Sequence, residues 1–432
     1  MAADNTLEIN NQQTTQQIDS KSENISSKLL NMWRTINNEK DLLNLINMVS
    51  VEVFGQTEEK SQLYSLKQLH FNAYSKDKEK LYITFKIPKK KRGEFRTIDA
   101  PNPTLKGIQQ CLNYIFQQIY APNKSAVGFV PTRSIVDGAK VHTSQKFVYN
   151  IDLKDFFPSI SSGRLYKRLQ SKPFGLNQKI ASLVSDLCCY KNAENKLVLP
   201  QGAPTSPTIT NFICERLDRK LCKLARAYGL KYTRYADDIT FSGMKNIFSD
   251  NGKFCKSLRN IIENEEHFTI NKNKSHLCHI GMRQEVTGLT VNEKVNVSRK
   301  YVKQLRTMIH NWETSGYEVA QSKFLEHYEP TKHINGFHHI EKVIGGKLDF
   351  LKMVKGENSS IYKNLNERFK ILSICRKLAN ESQNTKETAI DTPEIQVADN
   401  QNDKNRNANT TNDAIGEKLN LLFESNFDLS IL

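Results

Sequence analysis

The apolar positions along the chain follow two periodicities. From Lys28 to Gly55 they recur every three or four residues, which is typical of helices that bury one face. Residues 80–101 instead alternate apolar and polar side chains around the turn Lys-Lys-Lys-Arg-Gly, which predicts a β-hairpin with a basic tip. Further helices are predicted at 103–121, 163–190, 207–229, 252–266 and 298–313. Strands are predicted near 147–153, 231–243 and 276–292. This alternation of helices with strands and hairpins predicts an α+β fold on a small antiparallel sheet.

Both ends of the chain are polar and contain few apolar residues. Residues 1–28 are rich in Asn, Gln, Ser and Thr, so we expect a disordered leader. Residues 379–432 are polar again and finish in a short amphipathic stretch. We interpret them as a linker followed by a short C-terminal helix.

The charge of the chain predicts a polyanionic partner. Lys and Arg exceed Asp and Glu by 62 to 46, a net charge of +16, and the excess lies between the two mildly acidic ends. Such a basic region is typical of proteins that neutralise nucleic-acid phosphates. No apolar run is long enough to span a bilayer and no signal peptide is recognisable, so we expect a cytoplasmic protein without a membrane partner. The eight cysteines lack zinc-site spacing, which favours reduced structural thiols.

Candidate chemistry begins with carboxylates at the ends of two predicted strands. In KYTRYADDITFSG, residues 231–243, Asp237 and Asp238 lie between two strand-like runs, where a polar hairpin turn is one interpretation. Asp152 follows the apolar strand Phe147–Ile151, where it could instead cap a helix. Acids at the ends of two strands can together hold two divalent ions for phosphoryl transfer. Mg²⁺ is the expected ion, because it prefers oxygen ligands and substrate phosphates.

A third element lies between these acids in the sequence. In KLVLPQGAPTSPTITNF, residues 196–212, Gln201 and Gly202 stand among three prolines before a helical pattern. A glycine at such a turn lets the backbone approach a nucleotide closely. An ordinary Pro/Gly loop before a helix is the alternative.

Three segments together resemble a known family. NIDLKDFFPSI, LPQGAPTSPTITN and YADD, in this order, resemble motifs A, B and C of the palm of reverse transcriptases, and the resemblance covers about residues 60–315. It implies a right-hand polymerase fold with fingers at 29–145, a palm with a fingers insertion at 146–285 and a helical thumb at 286–378. It also implies that Asp152, Asp237 and Asp238 hold two Mg²⁺ ions and catalyse RNA-directed DNA synthesis from dNTPs.

The resemblance assigns roles to residues around the nucleotide. Phe157 matches the steric gate that excludes a ribose 2'-hydroxyl, and Gln201 with Gly202 matches the turn against the incoming nucleotide. FTINKNKSHL resembles motif D, in which Lys274 matches a lysine that protonates pyrophosphate, although a solvated surface lysine is the alternative.

In the basic hairpin, Arg96 and Lys90 lie where the fingers of such enzymes grip the triphosphate. A solvated tip is the alternative interpretation for Lys90 and the lysines beside it.

Two further segments indicate the subfamily. EVTGLTVN, residues 285–292, resembles the Val-Thr-Gly motif of retron reverse transcriptases. GFVPTRSIVDGAKVH, residues 128–142, resembles a retron segment ending in Asn-Ala-x-x-His, which makes His142 a candidate nucleic-acid contact, but Gly138 replaces the expected Asn. A basic helix follows the Val-Thr-Gly segment and is predicted to track primer-template phosphates through Arg299, Lys300, Lys303 and Arg306.

The leading hypothesis is a retron reverse transcriptase in an antiphage defence system. The resemblance implies that it copies part of a cognate structured noncoding RNA, which serves as template and primer, into a cDNA that is 2'-branched, and that an effector protein is a possible further partner. Three alternatives stay open: a defence-associated reverse transcriptase outside the retrons, a group II intron maturase, and a non-catalytic nucleic-acid-binding module. Phe157 disfavours an RNA-dependent RNA polymerase.

Overall fold

A computed structural model describes residues 24–55, 63–75, 81–88, 93–327 and 339–387. The contacts divide the chain into two units, Met1–Ser373 and Ile374–Leu432. The first described helix, α1, covers 24–34, so residues 24–28 of the predicted leader are helical. The rest of the leader and residues 388–432, with the expected C-terminal helix, lie outside the described residues.

The next elements include the predicted helices and basic hairpin, and two helices, at Leu66–Tyr74 and Ile135–Val141, that were not predicted. Helices α2 (Glu39–Glu52) and α3 (Leu66–Tyr74) each begin with a capping box, in which the N-cap side chain and the third helical side chain bond each other's backbone amides. Strands β1 (Tyr82–Pro88) and β2 (Phe95–Pro101) pair antiparallel along their full length. The hairpin tip, residues 89–92, lies outside the described residues. Helices α4 (Pro103–Ile119) and α5 (Ile135–Val141) follow.

The central sheet has five antiparallel strands around β3 (Phe147–Lys154). On one side β3 pairs with β7 (Asp238–Gly243), which pairs with β6 (Lys231–Tyr235). On the other side, β9 (His276–His279) pairs with the start of β3 and β8 (Thr269–Ile270) with its end. This arrangement confirms the predicted antiparallel sheet and the α+β class.

Helices cover one face of this sheet. Their order in the chain is α6 (Ser162–Gln170), α7 (Gln178–Cys188), α8 (Ser206–Ile213), α9 (Glu215–Ala227), α10 (Lys253–Arg259) and a π-helix (Asn260–Glu265). Two predicted single helices, 163–190 and 207–229, are therefore each broken into two. Two short ladders complete the strands: β4 (Tyr190–Lys191) with β5 (Leu197–Val198), and β10 (Glu285–Val286) with β11 (Leu289–Thr290).

The C-terminal part of the described chain is helical. Helix α11 (Arg299–His327) kinks at Gly316, whose φ of 75° lies outside the helical region, and α12 (Ile340–Lys355) and α13 (Ser360–Glu387) follow. None of the helices in the described ranges is long and apolar enough to cross a membrane. The proposed bounds of fingers, palm and thumb stay predictions.

The buried side chains form two hydrophobic cores. The larger core joins the N-terminal helices, α6 to α10 and the central sheet. The smaller core joins α5, β10 and β11 to α11, α12 and the start of α13. Since Ile151 and Leu153 belong to the larger core, the residue between them, Asp152, points to the opposite face of the sheet.

Candidate active site

The three predicted carboxylates meet at the end of the central strand pair. Asp152 lies on β3 directly opposite Asp238, the first residue of β7, in the antiparallel register. Asp237 precedes it in the turn from β6, and its carbonyl oxygen accepts a hydrogen bond of 3.1 Å from the Leu153 amide. Ala236 has a φ of 54°, so the turn uses the left-handed region to set both acids at the sheet edge. The structure thus brings together all three acids that the sequence singled out.

Burial and nearby negative charge raise the proton affinities of Asp237 and Asp238. Desolvation, followed by repulsion from Asp237 and Asp152, raises the pKa of Asp238 to about 6. Burial and the charge of Asp152 also raise the pKa of Asp237, while Lys274 and Arg96 oppose the shift. A divalent cation would relieve this repulsion, because an opposite charge favours the ionised form of each acid.

The donor set fits Mg²⁺, which binds through one or two carboxylates and fills its shell with water and substrate phosphates. Within the described ranges, no three His, Cys, Asp or Glu side chains enclose an ion unaided. Asp152, Asp237 and Asp238 supply oxygen ligands of the kind that such an ion binds.

Two polar side chains hold Asp152 in place. Asn271 donates to one carboxylate oxygen at 2.8 Å and Lys274 donates to the other at 3.1 Å. The Lys274 side chain remains 55% exposed, so its ammonium lies between Asp152 and solvent. The predicted lysine therefore lies beside the acids, and it pairs with one of them here.

A buried ion pair behind the turn was not anticipated from the sequence. Arg234 and Asp218 form two hydrogen bonds of 2.7 Å, and both side chains are at most 1% exposed. Arg234 also donates to the Ala236 carbonyl at 3.1 Å, and Tyr232 donates its hydroxyl to Asp218 at 2.7 Å. The network anchors the turn that carries the twin acids. The one sign of this network in the sequence is that an acid, Asp218, lies among the apolar positions of α9 that are buried.

The steric-gate candidate belongs to a group of aromatic rings beside the acids. Phe157 is partly buried, with its ring centroid 6.4 Å from that of Phe129, which lies 5.9 Å from Tyr235 of the YADD turn. The Phe129 and Tyr235 rings line a cavity of about 370 Å³ with Pro204 and Pro207. The proline-rich turn and the YADD turn thus face one cavity, and Phe157 lies beside its aromatic wall.

The turn at Gln201 and Gly202 is pressed against the hairpin. The Gln201 carbonyl accepts a hydrogen bond of 2.9 Å from the Asp99 amide on β2. Gly202 has a φ of 140°, and a Cβ there would lie 2.8 Å from the Ile98 side chain and 2.9 Å from the Asp99 carbonyl. A glycine is therefore required by both backbone conformation and space.

The basic hairpin is only partly described. Arg96 is exposed on β2, and its charge opposes the pKa rise of Asp237, which places it in the electrostatic environment of the site. Lys90 lies outside the described residues, so its predicted contact stays a prediction.

The side chains predicted to contact nucleic acid differ in their exposure to solvent. His142 is fully buried, and its ring nitrogens lie 2.7 Å from the hydroxyls of Ser242 and Thr233 on β7 and β6. Burial lowers its pKa to about 3, so the ring is neutral. The prediction that His142 contacts nucleic acid is therefore wrong: it links α5 to the central sheet. The four cations on α11 are exposed: Arg299, Lys300, Lys303 and Arg306.

Packing explains why a glycine, Gly138, stands where the retron segment has Asn. Gly138 is buried in α5, and a Cβ there would lie 2.8 Å from the Val127 side chain. An Asn could not occupy this position without moving Val127, so the departure from the expected Asn is tied to the packing of α5.

The sequence matches a family model and several named relatives. Residues 87–325 match the family model described as reverse transcriptase (RNA-dependent DNA polymerase). The chain is 33% identical to the retron Ec86 reverse transcriptase of Escherichia coli over 290 residues, 66% of this chain and 83% of that protein. It is 36% identical to the retron Mx65 reverse transcriptase of Myxococcus xanthus over 245 residues, 53% of this chain and 55% of that protein. The chain thus spans about half the length of the Myxococcus relative. A telomerase structure from Candida albicans aligns over 73% of this chain and 66% of that chain at 14% identity, with a TM-score of 0.37.

Proposed function

The chain belongs to the reverse transcriptase family, as a member of the retron type, and from this premise we propose that it copies part of a structured RNA into DNA. The observation that carries the proposal is the pairing of Asp152 with Asp238 across β3 and β7, inside the matched region. The acids of motifs A and C therefore lie side by side at the same end of two paired strands.

The carboxylates bind and orient the reacting groups. When bound, two Mg²⁺ ions supply Lewis-acid activation of the attacking hydroxyl and charge stabilisation of the leaving pyrophosphate. Asp152, Asp237 and Asp238 would hold these ions. Asn271 keeps the Asp152 carboxylate in one orientation through its 2.8 Å hydrogen bond. Lys274, whose exposed side chain pairs with Asp152 in the free protein, donates a proton to the pyrophosphate as it leaves in this proposal.

Residues around the acids select the nucleotide. The partly buried ring of Phe157 excludes a ribose 2'-hydroxyl by bulk, so dNTPs are the substrates. Gln201 and Gly202 support the nucleotide base through a turn held against β2. Arg96, together with Lys90, binds the triphosphate.

The template and primer are parts of a cognate noncoding RNA, by analogy with the retron relatives. The exposed cations of α11 follow the phosphates of the RNA–DNA duplex. Priming from a 2'-hydroxyl of that RNA gives a branched product. We place the enzyme in the cytoplasm, within an antiphage defence system that includes an effector protein.

Primer extension on an RNA template with dNTPs and Mg²⁺ tests the activity. We expect DNA products from the unmodified protein and from Asp349→Asn, which changes an exposed acid on α12, and none from Asp237→Asn/Asp238→Asn. Extension by the double variant at the unmodified rate would contradict the proposal.

The subfamily is tested on nucleic acid that copurifies with the protein. Sequencing it with and without a debranching step is expected to reveal an RNA–DNA branch. Unbranched or repetitive cDNA would instead favour a defence-associated reverse transcriptase outside the retrons.

A further inference from the structure

A large basic cavity lies apart from the carboxylates. Its volume is about 970 Å³, and it is bordered by α6, the end of α8, α9 and the π-helix. Six cationic and three acidic side chains line it, together with the hydroxyls of Ser159 and Ser161. None of the three catalytic acids borders it. It opens on the helical layer, whereas Asp152 points to the other face of the sheet.

Three cations converge on one acid at this cavity. The carboxylate of Glu266, only 5% exposed, lies 3.6 Å from Arg164, 2.9 Å from Arg216 and 2.6 Å from Lys220. Glu265 also pairs with Lys220, so two carboxylates face three cations and one positive charge is left over. The repulsion among these cations is offset best by a further anion.

Two arginines on α6 are fixed before any ligand binds. The Arg164 guanidinium lies 4.6 Å from the ring centroid of Phe268. Arg168 donates to the Phe212 carbonyl at 3.0 Å and to the Lys172 carbonyl at 2.6 Å, and it also pairs with Glu215. Side chains held in this way lose little conformational entropy when they bind an anion.

The rim of the cavity supplies cations that face solvent. Lys167, Lys172 and Arg219 are exposed, and within the described part of the chain none of them forms an ion pair. Three uncompensated charges around a preformed arginine cluster can contact several phosphates spaced along one backbone, which a compact anion could not do. A polyanion longer than a nucleotide therefore fits the cavity best.

We propose that this cavity binds the phosphodiester backbone of a folded segment of the cognate RNA, outside the catalytic cleft. The inference rests on the proposed function, because it takes the RNA partner from there. It assigns the helical face of the palm a second role: holding the RNA while the opposite face copies it.

The test compares charge reversals on two helical surfaces. Lys167→Glu/Arg219→Glu alters the rim, and Lys253→Glu/Lys256→Glu makes the same change of charge at exposed positions of α10. A labelled RNA stem-loop is the probe, titrated in the presence of excess RNA–DNA primer-template duplex that occupies the cleft. Loss of two phosphate contacts to the duplex stem predicts at least about tenfold weaker binding at 0.15 M salt and a salt slope that is smaller by about 1.8. The control variant is expected to bind like the unmodified protein.

Separate readouts distinguish this inference from the proposed function. Extension of a short unstructured primer-template tests the polymerase and is expected to be unchanged in the rim variant. Rim-variant binding equal to that of the control variant overturns the inference while leaving the polymerase intact. A rim variant that retains RNA affinity but loses binding to polyglutamate would assign the cavity to an acidic protein and would also overturn it.

A measurement on the unmodified protein guards against misfolding of the variants. Bound stem-loop is expected to protect Lys167 and Lys172 from acetylation and to leave Lys253 and Lys256 reactive. Equal reactivity of Lys167 with and without RNA contradicts the inference.

Discussion

The buried pair of Arg234 and Asp218 gives the most specific prediction. Asp218→Asn keeps the size of the side chain and removes its charge. The carboxylate accepts two hydrogen bonds from Arg234 and one from Tyr232, and an amide has one oxygen to accept them and places an NH₂ group against the guanidinium. Because both side chains are at most 1% exposed, water cannot replace the lost partner.

The expected cost follows from that burial. Removing one partner of a buried ion pair costs about 3–5 kcal/mol, since the remaining charge is left uncompensated. We expect a loss of this size in the free energy of unfolding, measured by urea denaturation followed by tryptophan fluorescence, to which Trp33 in the larger core and Trp312 in the smaller core contribute. Asp349→Asn, at an exposed position, is expected to change it by less than about 0.5 kcal/mol.

A double variant separates stability from catalysis. Arg234→Met/Asp218→Leu replaces the pair by apolar side chains and is expected to recover most of the lost stability. It is nevertheless expected to lower kcat, because the Ala236 carbonyl loses its donor, Arg234, and the turn that carries Asp237 is no longer anchored. A cost below about 1 kcal/mol for Asp218→Asn would refute the reasoning. Full activity in the double variant would refute the anchoring role.

Three further outcomes follow from the site. Phe157→Ala is expected to reduce the preference for dNTPs over rNTPs about tenfold or more in single-nucleotide incorporation, and an unchanged preference would remove Phe157 as the gate. Gly202→Ala is expected to lower kcat/KM for dNTPs at least about tenfold, because its Cβ would lie 2.8 Å from Ile98, whereas Gly346→Ala, which meets no atom within 4 Å, should have no effect. His142 has a pKa of about 3 when folded and about 6.5 when unfolded, so the unfolded chain binds more protons and stability is lost as pH falls below 6.5. His142→Gln is expected to flatten that loss between pH 6.5 and 4 and to leave RNA affinity unchanged, and a pH dependence equal to that of the unmodified protein would contradict the burial argument.

The sequence predicted those parts of the site that depend on strand ends and turns. Asp152 and the twin acids each follow a recognisable strand, so their meeting at one sheet edge could be foreseen. Gly202 was foreseen as a turn, but its close approach to β2 was not, because that contact joins segments about a hundred residues apart.

The sequence alone did not show which polar side chains are buried. His142 matched a motif, but whether a histidine faces solvent or two buried hydroxyls depends on how α5 packs on the sheet. Arg234 and Asp218 are 16 residues apart, on a strand and a helix whose packing brings them together. An arginine and an aspartate in a sequence can lie on the surface or form a buried ion pair, and only the packing of the strand on the helix shows which.

The central claim is that carboxylates from two strands act as one catalytic unit. Single-turnover primer extension on an RNA template by Asp152→Asn, Asp237→Asn and the combined variant tests it. Residues that act as a unit have non-additive effects. We therefore expect each single variant to lose nearly all activity and the combination to lose no more than the larger single loss. Substantial activity in Asp152→Asn, or losses that multiply as for independent sites, would contradict the account.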